Sequence, residues 1–393
     1  MSGRLLNESV RFFIINGLTA FSFTFAMPII PLFLIDVLGI EPVYIGVFTV
    51  ATALSGILVS RKVGNLSDSG SNDRVIYAVT VGATVLAGLA FAALDSFWQA
   101  MLAGVILMAV ARASMPQCLA MIRKYANCKG KDSTKFNAQM RSAISLVWVV
   151  GPPVAFAVAA QWGFDACFLI SAVIACVVLI LAYFWLPDTT SVAQEAASKA
   201  ASAKMPLSIW LLGGVTFFAC MANSLYVTAM PIYVTKELGL DISLPGVLLG
   251  LAAGLEIPLM LFAGWSASRF GSLRLILIAF VNAALFYLLV QWATTPLQLM
   301  GIQVFNGVFF GIFIGLAVSL FQDALPTRSG AASAFYSNAM TVGSMVGGSV
   351  AGVVAQWWSF KSALLVSLFL IFLAMAGLVL YAKQRSCAIE MAA

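Results

Sequence analysis

The chain has 393 residues, 62% of them hydrophobic and 9% charged, with a formal net charge of +6 and a mean hydropathy of +1.01. A soluble domain carries about 25% charged residues, so this much apolar surface cannot be hidden inside a globule and the surrounding solvent must be lipid. There is no histidine, which excludes His-based metal sites and His proton relays.

A hydrocarbon layer of about 30 Å needs roughly 20 apolar residues per helix. Twelve runs of that kind lie near 11–35, 43–62, 75–94, 98–121, 138–161, 165–186, 207–235, 244–265, 273–292, 297–321, 331–356 and 361–382. Lipid demands that each segment satisfy its own backbone, so these continuous runs predict an all-α membrane protein of 12 transmembrane helices. The first run is too long and too polar-flanked for a cleaved signal peptide.

Taken in chain order, span 1 brings Asn16, Thr19 and Phe23 to one face, with Asp36 at its far rim. Span 4 holds Arg112, an ionisable residue near its centre. Span 5 aligns Arg141, Ser145, Trp148 and Pro152 at helical steps, and its Gly151-Pro152-Pro153 run predicts a kink. The polar stretch DTTSVAQEAASKAASAKM at 188–205 reads as a low-complexity linker. Span 7 offers Asn223 and Tyr226. Span 8 carries Glu256, the only charge between Ile242 and Ser268, with Pro258 two residues on. Span 10 aligns Gln303, Asn306 and Phe310, and Asp323 stands at its end near Arg328. Span 11 offers Asn338 and Thr341, together with Gly343, Gly347, Gly348 and Gly352 in overlapping GxxxG patterns that permit close helix approach.

All but three of the 21 Lys and Arg fall at the termini or in the even-numbered connections. Lys236 and Lys361 fall on the opposite side, and Arg112 lies within a span. This positive-inside bias places both termini in the cytoplasm, and it accounts for the net charge without nucleic acid. The six cysteines (118, 128, 167, 176, 220 and 387) form no CxxC pair and read as small buried residues. No Walker loop, GxGxxG or GxSxG motif is present. Neither ATP hydrolysis, nor a cofactor, nor an enzyme's nucleophile, base and metal constellation is therefore expected.

The chain repeats itself. PLFLIDVLGIE at 31–41 aligns with PIYVTKELGLD at 231–241, an offset of 200 that holds without a gap through Gly46 and Gly246, Gly64 and Gly264, and RVI at 74–76 with RLI at 274–276. Matched Pro, Gly and Arg at one offset are not what chance similarity between apolar helices produces. The halves are 1–187 and 207–393, joined by the linker 188–206. Two six-helix pseudo-repeats across a cytoplasmic linker resemble the major facilitator fold, in which substrate sits near the midplane between halves. The G-x-L-x-D-R-x-G-R pattern of that superfamily is half kept at Gly64, Leu66 and Asp68, with Arg74 following. It is half kept again at Gly264, Arg269 and Gly271, with Ser268 in place of the acid. The resemblance gives these residues a role in closing the cytoplasmic side, and Asp323, at its span end with Arg328, is expected to help. Gly151-Pro152-Pro153 is similar to part of the antiporter motif of drug exporters, although Val147 and Ala143 replace its preceding glycines.

A narrower resemblance lies in MPQCLAMIRKYAN at 115–127, RSAISLVWVVGPPVAF at 141–156, VLLGLAAGLEIPLMLFAG at 247–264 and SVAGVVAQWW at 349–358. These co-ordered segments resemble the sugar efflux transporter family of major facilitators. The resemblance implies a multi-pass protein of the inner (plasma) membrane that exports sugars, glycosides or their analogues, driven by proton entry. A monomer is expected.

An intramembrane ionisable group costs about 2.5–3.5 kcal/mol, so it is read as functional by default. Glu256 is expected to carry the proton and accept a sugar hydroxyl; the competing reading is a structural ion pair. Its repeat counterpart is Gly56, so the carboxylate breaks the symmetry. Arg112 is expected to hold a sugar oxygen or compensate Glu256; a bond to backbone carbonyls or to Gln117 competes. Planar amides for hydroxyls and aromatic faces for C–H surfaces nominate Trp148, Asn16, Asn223, Gln303, Asn306, Asn338 and Arg141 as sugar contacts, each against a plain interhelical hydrogen bond. A proton antiporter of hydrophobic drugs, lined by some of the 29 Phe and 16 Met, and a non-transporting membrane sensor are the alternatives.

Overall fold

The computed structural model describes residues 8–69, 71–128, 133–186 and 205–390. The linker expected at 188–206 lies almost wholly outside them, and the side chains of Asp68 and Arg141 are likewise not described. The chain groups into two compact units, one of residues 1–40 and 48–195, the other of 41–47 and 196–393.

In the first unit, α1 (Glu8–Ala26) passes through a 3₁₀ turn at Met27–Ile29 into α2 (Ile30–Asp36). Pro28 and Pro31 sit at the starts of the turn and of α2, where the missing N–H and fixed φ of proline tighten the backbone. There follow α3 (Val43–Asp68), α4 (Asp73–Phe91), α5 (Phe97–Ala103), a π-helical turn at Gly104–Met108, α6 (Ala109–Ala111) and α7 (Ser114–Cys128). The last element is α8 (Ser133–Trp185). Helices α1 and α4 both pack on α8, around a core that includes Phe12, Tyr77, Val81, Ile122 and Val178.

A continuous helix of the 53 residues of α8 would be about 80 Å long at 1.5 Å per residue, more than twice the hydrocarbon thickness. Gly163 breaks it with φ 83° and ψ 172°, a region that only glycine enters without strain. The break falls in the gap expected between the runs 138–161 and 165–186, so one residue does the work of a loop.

The second unit contains α9 (Leu207–Ile232) with a π-helical turn at Tyr233–Glu237, then α10 (Leu244–Phe270), α11 (Ser272–Leu289) and α12 (Pro296–Ala324). A 3₁₀ turn at Pro326–Arg328 leads to α13 (Ser329–Trp357) and α14 (Phe360–Glu390). Helix α9 packs against α13 and α14, and α10 against α12. Among the described residues, 11 helices are long and apolar enough to cross a membrane, Ile144–Trp185 being a single one of 42 residues. The expected count of twelve differs by one because Gly163 breaks Ile144–Trp185 by a backbone dihedral alone, with no polar stretch between the two parts.

The repeat is visible in the backbone. Gly39 and Gly239 both adopt positive φ, 60° and 65°. Around them Leu38 N donates to Phe33 O and Ile40 N to Leu34 O, while Leu238 N donates to Tyr233 O and Leu240 N to Val234 O, the same pairs 200 positions on. Later the offset becomes 199: Gln99 Oε1 accepts from Asp95 N at 3.0 Å, and Gln298 Oε1 accepts from Thr294 N at 3.1 Å.

Large apolar side chains cover the outside, among them Phe184 (72% exposed) and Leu261 (69%). Trp98, Trp162, Trp292, Trp357 and Trp358 are exposed as well and stand at or beside helix ends near the odd-numbered connections, where amphipathic indoles sit at the lipid–water interface.

Candidate functional site

In the first unit, the π-helical turn and the short α6 deliver Arg112 to the break before α7. The side chain is half-buried. Its Nη2 lies 4.0 Å from Met27 Sδ, a weak acceptor, and its Nε has no hydrogen-bond partner. It lies across Gly56, where a Cβ would meet Arg112 Cδ at 3.1 Å. The competing bond to Gln117 does not form; Gln117 turns instead to Asp73 and Ser67. Among the other expected residues, Asn16 is fully buried in α1, and Trp148 in α8 is 38% exposed.

Gly64 lies in α3 with open space around it. Arg74 ties α4 to α8: its Nη2 donates to the Tyr183 carbonyl, and its guanidinium carbon stands 4.8 Å from the centre of the Tyr183 ring. Sequence reasoning passed over the acid beside it. Asp73 is completely buried and bonds Lys124 Nζ at 2.8 Å, Ser67 Oγ at 2.5 Å and Gln117 Nε2 at 3.1 Å. Lys124 Nζ also donates to Ser67 Oγ at 3.1 Å. This cluster joins the ends of α3, α4 and α7, the place at which the superfamily pattern puts its acid and bases. The available signal was the position of Asp73 next to Arg74 and of Lys124 in a basic connection.

In the second unit, Glu256 sits mid-way along α10, half-buried. No described residue donates a hydrogen bond or pairs a charge to its carboxylate. Pro258 inside the helix has no N–H, so the Gly254 carbonyl one turn earlier lacks its usual donor. The α10–α12 crossing is close at this point, because a Cβ on Gly311 would stand 2.8 Å from Glu256 O.

Gln303 and Asn306, expected as sugar contacts, are 1% and 3% exposed. Gln303 Nε2 donates to Tyr226 Oη at 3.0 Å and Asn306 Nδ2 to Gln303 Oε1 at 3.1 Å, which leaves Asn306 Oδ1 unpartnered. The two amides thus form a network with Tyr226 of α9 inside the bundle. Asn223 is half-buried and Asn338 is exposed on α13. Gly264 faces open space. Arg269, in the last turn of α10, places its guanidinium carbon 5.0 Å from the centre of the Trp265 ring. Asp323 is exposed near the end of α12. Among the described residues, no group of three or more Cys, Asp or Glu is placed to hold a metal.

The model of the Major Facilitator Superfamily matches residues 12–215 and 212–386. A protein of Escherichia coli (strain K12) named sugar efflux transporter A is 32% identical over 360 residues, 91% of this chain and 92% of that protein. Sugar efflux transporter B of Salmonella typhimurium is 32% identical over 369 residues, 92% of this chain and 93% of that one. Among solved structures, the nucleoside transporter NupG superposes with a TM-score of 0.77 at 15% identity, covering 96% of this chain and 99% of that one. A bacterial homologue of the iron transporter ferroportin in an inward-facing state gives 0.75 at 17% identity, covering 96% and 99%.

Proposed function

The chain belongs to the sugar efflux transporter family of the Major Facilitator Superfamily, a family of transporters and not of enzymes, and from that premise we propose that it exports sugars or sugar-like glycosides. It does so by alternating access of two six-helix halves, 1–187 and 207–393, across the inner membrane, with both termini in the cytoplasm and Gly163 dividing α8 into two of twelve crossings. Proton entry drives the cycle, Glu256 and Arg112 are its coupling residues with Glu256 carrying the proton, and the protein works as a monomer.

The observation that carries this reading is the mid-span carboxylate of Glu256 without a described partner. A structural carboxylate in lipid is held by an ion pair or hydrogen bonds; a proton carrier needs a carboxyl free to change state. Trp148, Asn223 and Asn338, each at least partly exposed, supply an aromatic face and amides to the sugar, and Arg141 joins them. Asn16, Gln303 and Asn306 act from buried positions, shaping the wall behind. Gly64, Asp68, Arg74, Gly264, Arg269 and Asp323 close the cytoplasmic side.

A second reading is a proton antiporter of hydrophobic drugs, for which the 29 Phe and 16 Met could supply a lining.

The test is efflux from proteoliposomes with a panel of labelled sugars and one hydrophobic cation, with and without an imposed pH gradient. Glu256→Gln should abolish gradient-driven sugar efflux and leave sugar counterflow partly intact. Unchanged gradient-driven efflux would remove Glu256 from the coupling role, and efflux of the cation alone would select the second reading.

A further inference from the structure

Each half builds the same helix crossing from one ionisable residue and one glycine, with the two exchanged. Gly56 on α3 and Glu256 on α10 are repeat counterparts at the offset of 200. The glutamine caps Gln99 and Gln298 stand at an offset of 199, and Arg112 and Gly311 take corresponding places, each against position 56 or 256 of its own half. In the first half the glycine on α3 lies beneath the arginine side chain, where an added Cβ would stand 3.1 Å from its Cδ. In the second half the glycine on α12 lies beneath the main chain of the acid. A Cβ there would stand 2.8 Å from Glu256 O, 3.1 Å from its Cα and 3.1 Å from Leu259 Cβ. The first of these is closer than real Cβ atoms come, and the obstacle is backbone, which cannot swing aside as a side chain does.

Gly311 belongs to a row with Gly307 and Gly315, where an added Cβ would stand 2.6 Å from Leu255 Cβ and 2.8 Å from Met260 Cγ. All three serve close packing of α10 on α12. Only Gly311 meets the residue that carries the charge, and only its obstruction includes that residue's own carbonyl and Cα. The exchange between halves distinguishes it further, since helix packing alone gives no reason for a glycine to face the ionisable residue in both.

We propose that Gly311 is a positioning residue for Glu256: its missing side chain sets where the α10 backbone, and hence the carboxyl group, stands in the membrane. The proposal rests on the coupling role given to Glu256 above. The other titratable groups on the helices that pack against α10 are Asp323 near the end of α12, Arg274 in the first turn of α11 with Tyr287 further along it, and Cys220 and Tyr226 on α9. None of these is a described partner of the carboxyl.

The test reads the carboxyl directly and needs no substrate. A hydrophobic carbodiimide adds the protonated acid across its C=N bond and, after rearrangement, leaves a stable N-acylurea that peptide mass spectrometry locates. Labelling of Glu256 is followed at fixed pH in the full-length detergent-purified protein and in Gly307→Ala, Gly311→Ala and Gly315→Ala. All three variants should melt somewhat lower than wild type. Gly311→Ala alone should change the Glu256 labelling rate by about threefold or more, equivalent to roughly half a pH unit. Equal rates in Gly311→Ala and wild type, or equal changes in all three variants, would overturn the proposal.

Should Gly311→Ala not fold, Glu256→Asp gives the second reading, since it leaves every glycine in place and withdraws the carboxyl by one methylene. A carboxyl whose place matters should label at a rate changed by the same factor or more; an unchanged rate would overturn the proposal. Efflux that ignores Glu256→Gln while labelling still follows Gly311 would sink the transport role and leave the positioning role standing.

Discussion

Lys124→Met should cost the protein more stability than Asp73→Asn, although the two residues share one ion pair. The reason is asymmetric burial: the Asp73 side chain is 0% exposed and that of Lys124 is 29% exposed. Removing the lysine strands an anion with no access to water. Breaking a buried pair costs about 3–5 kcal/mol, and Ser67 Oγ and Gln117 Nε2 remain as donors, so about 3 kcal/mol is expected. Removing the acid's charge strands an ammonium that reaches solvent, and about 2 kcal/mol is expected. The double variant should cost about 3 kcal/mol, well short of the sum, because the residues are in contact. At about 2–4 °C per kcal/mol for a unit of this size, Lys124→Met should lower the melting temperature by about 6–12 °C. Melting of a fluorescent fusion, followed by size-exclusion chromatography in detergent, measures all three variants. A larger loss for Asp73→Asn, or additive losses, would refute the assignment of Asp73 as the buried anchor.

Three further outcomes follow from other parts of the fold. Gly163→Ala forces a Cβ into φ 83°, ψ 172° and should cost about 1–3 kcal/mol, seen as a lower melting temperature without a change in sugar affinity. Trp148→Ala, at a side chain already 38% exposed, should weaken sugar binding more than it lowers the melting temperature; an equal loss of stability with unaltered affinity returns Trp148 to packing. The third concerns pH. Asp241 Oδ1 accepts from Ser243 N at 2.7 Å and from Ser243 Oγ at 2.5 Å, and these bonds hold its carboxyl below the ordinary value of 3.8. A depressed pKa stabilises the folded form above that value and loses the benefit as pH falls through the lowered one. Protection of the amides at the start of α10, taken against their intrinsic exchange rates at each pH, should therefore fall below about pH 4 in wild type, and Asp241→Ala should show the lower protection at neutral pH already.

What the sequence made legible follows from the nature of the solvent. Lipid tolerates few polar atoms, so the span positions and the lone charges Arg112 and Glu256 stand out against a uniform background. The repeat was legible because backbone turns depend on specific residues: Gly39 and Gly239 take the same positive φ for the same hydrogen bonds. Partner choice was not legible. Asp73 finds Lys124 across 51 positions, and Gln303 finds Tyr226 across 77, because the rotation and depth of each helix decide which polar groups meet. For the same reason an amide such as Gln303 reads identically in sequence whether it faces an opening or, as here, a tyrosine hydroxyl within the bundle.

The distribution of the nine tryptophans has an optical consequence. Trp98, Trp162, Trp292, Trp357 and Trp358, at 67–75% exposure, place much of the intrinsic emission beside helix ends, where indoles favour the headgroup level of a bilayer. Lipids brominated at successive carbons along the chain will quench that emission most strongly near the headgroup, so the protein carries its own depth gauge for bilayer thickness. The same glow will mask any signal from Trp148, and a fluorescence titration with sugar becomes readable only after the other eight indoles are replaced by phenylalanine.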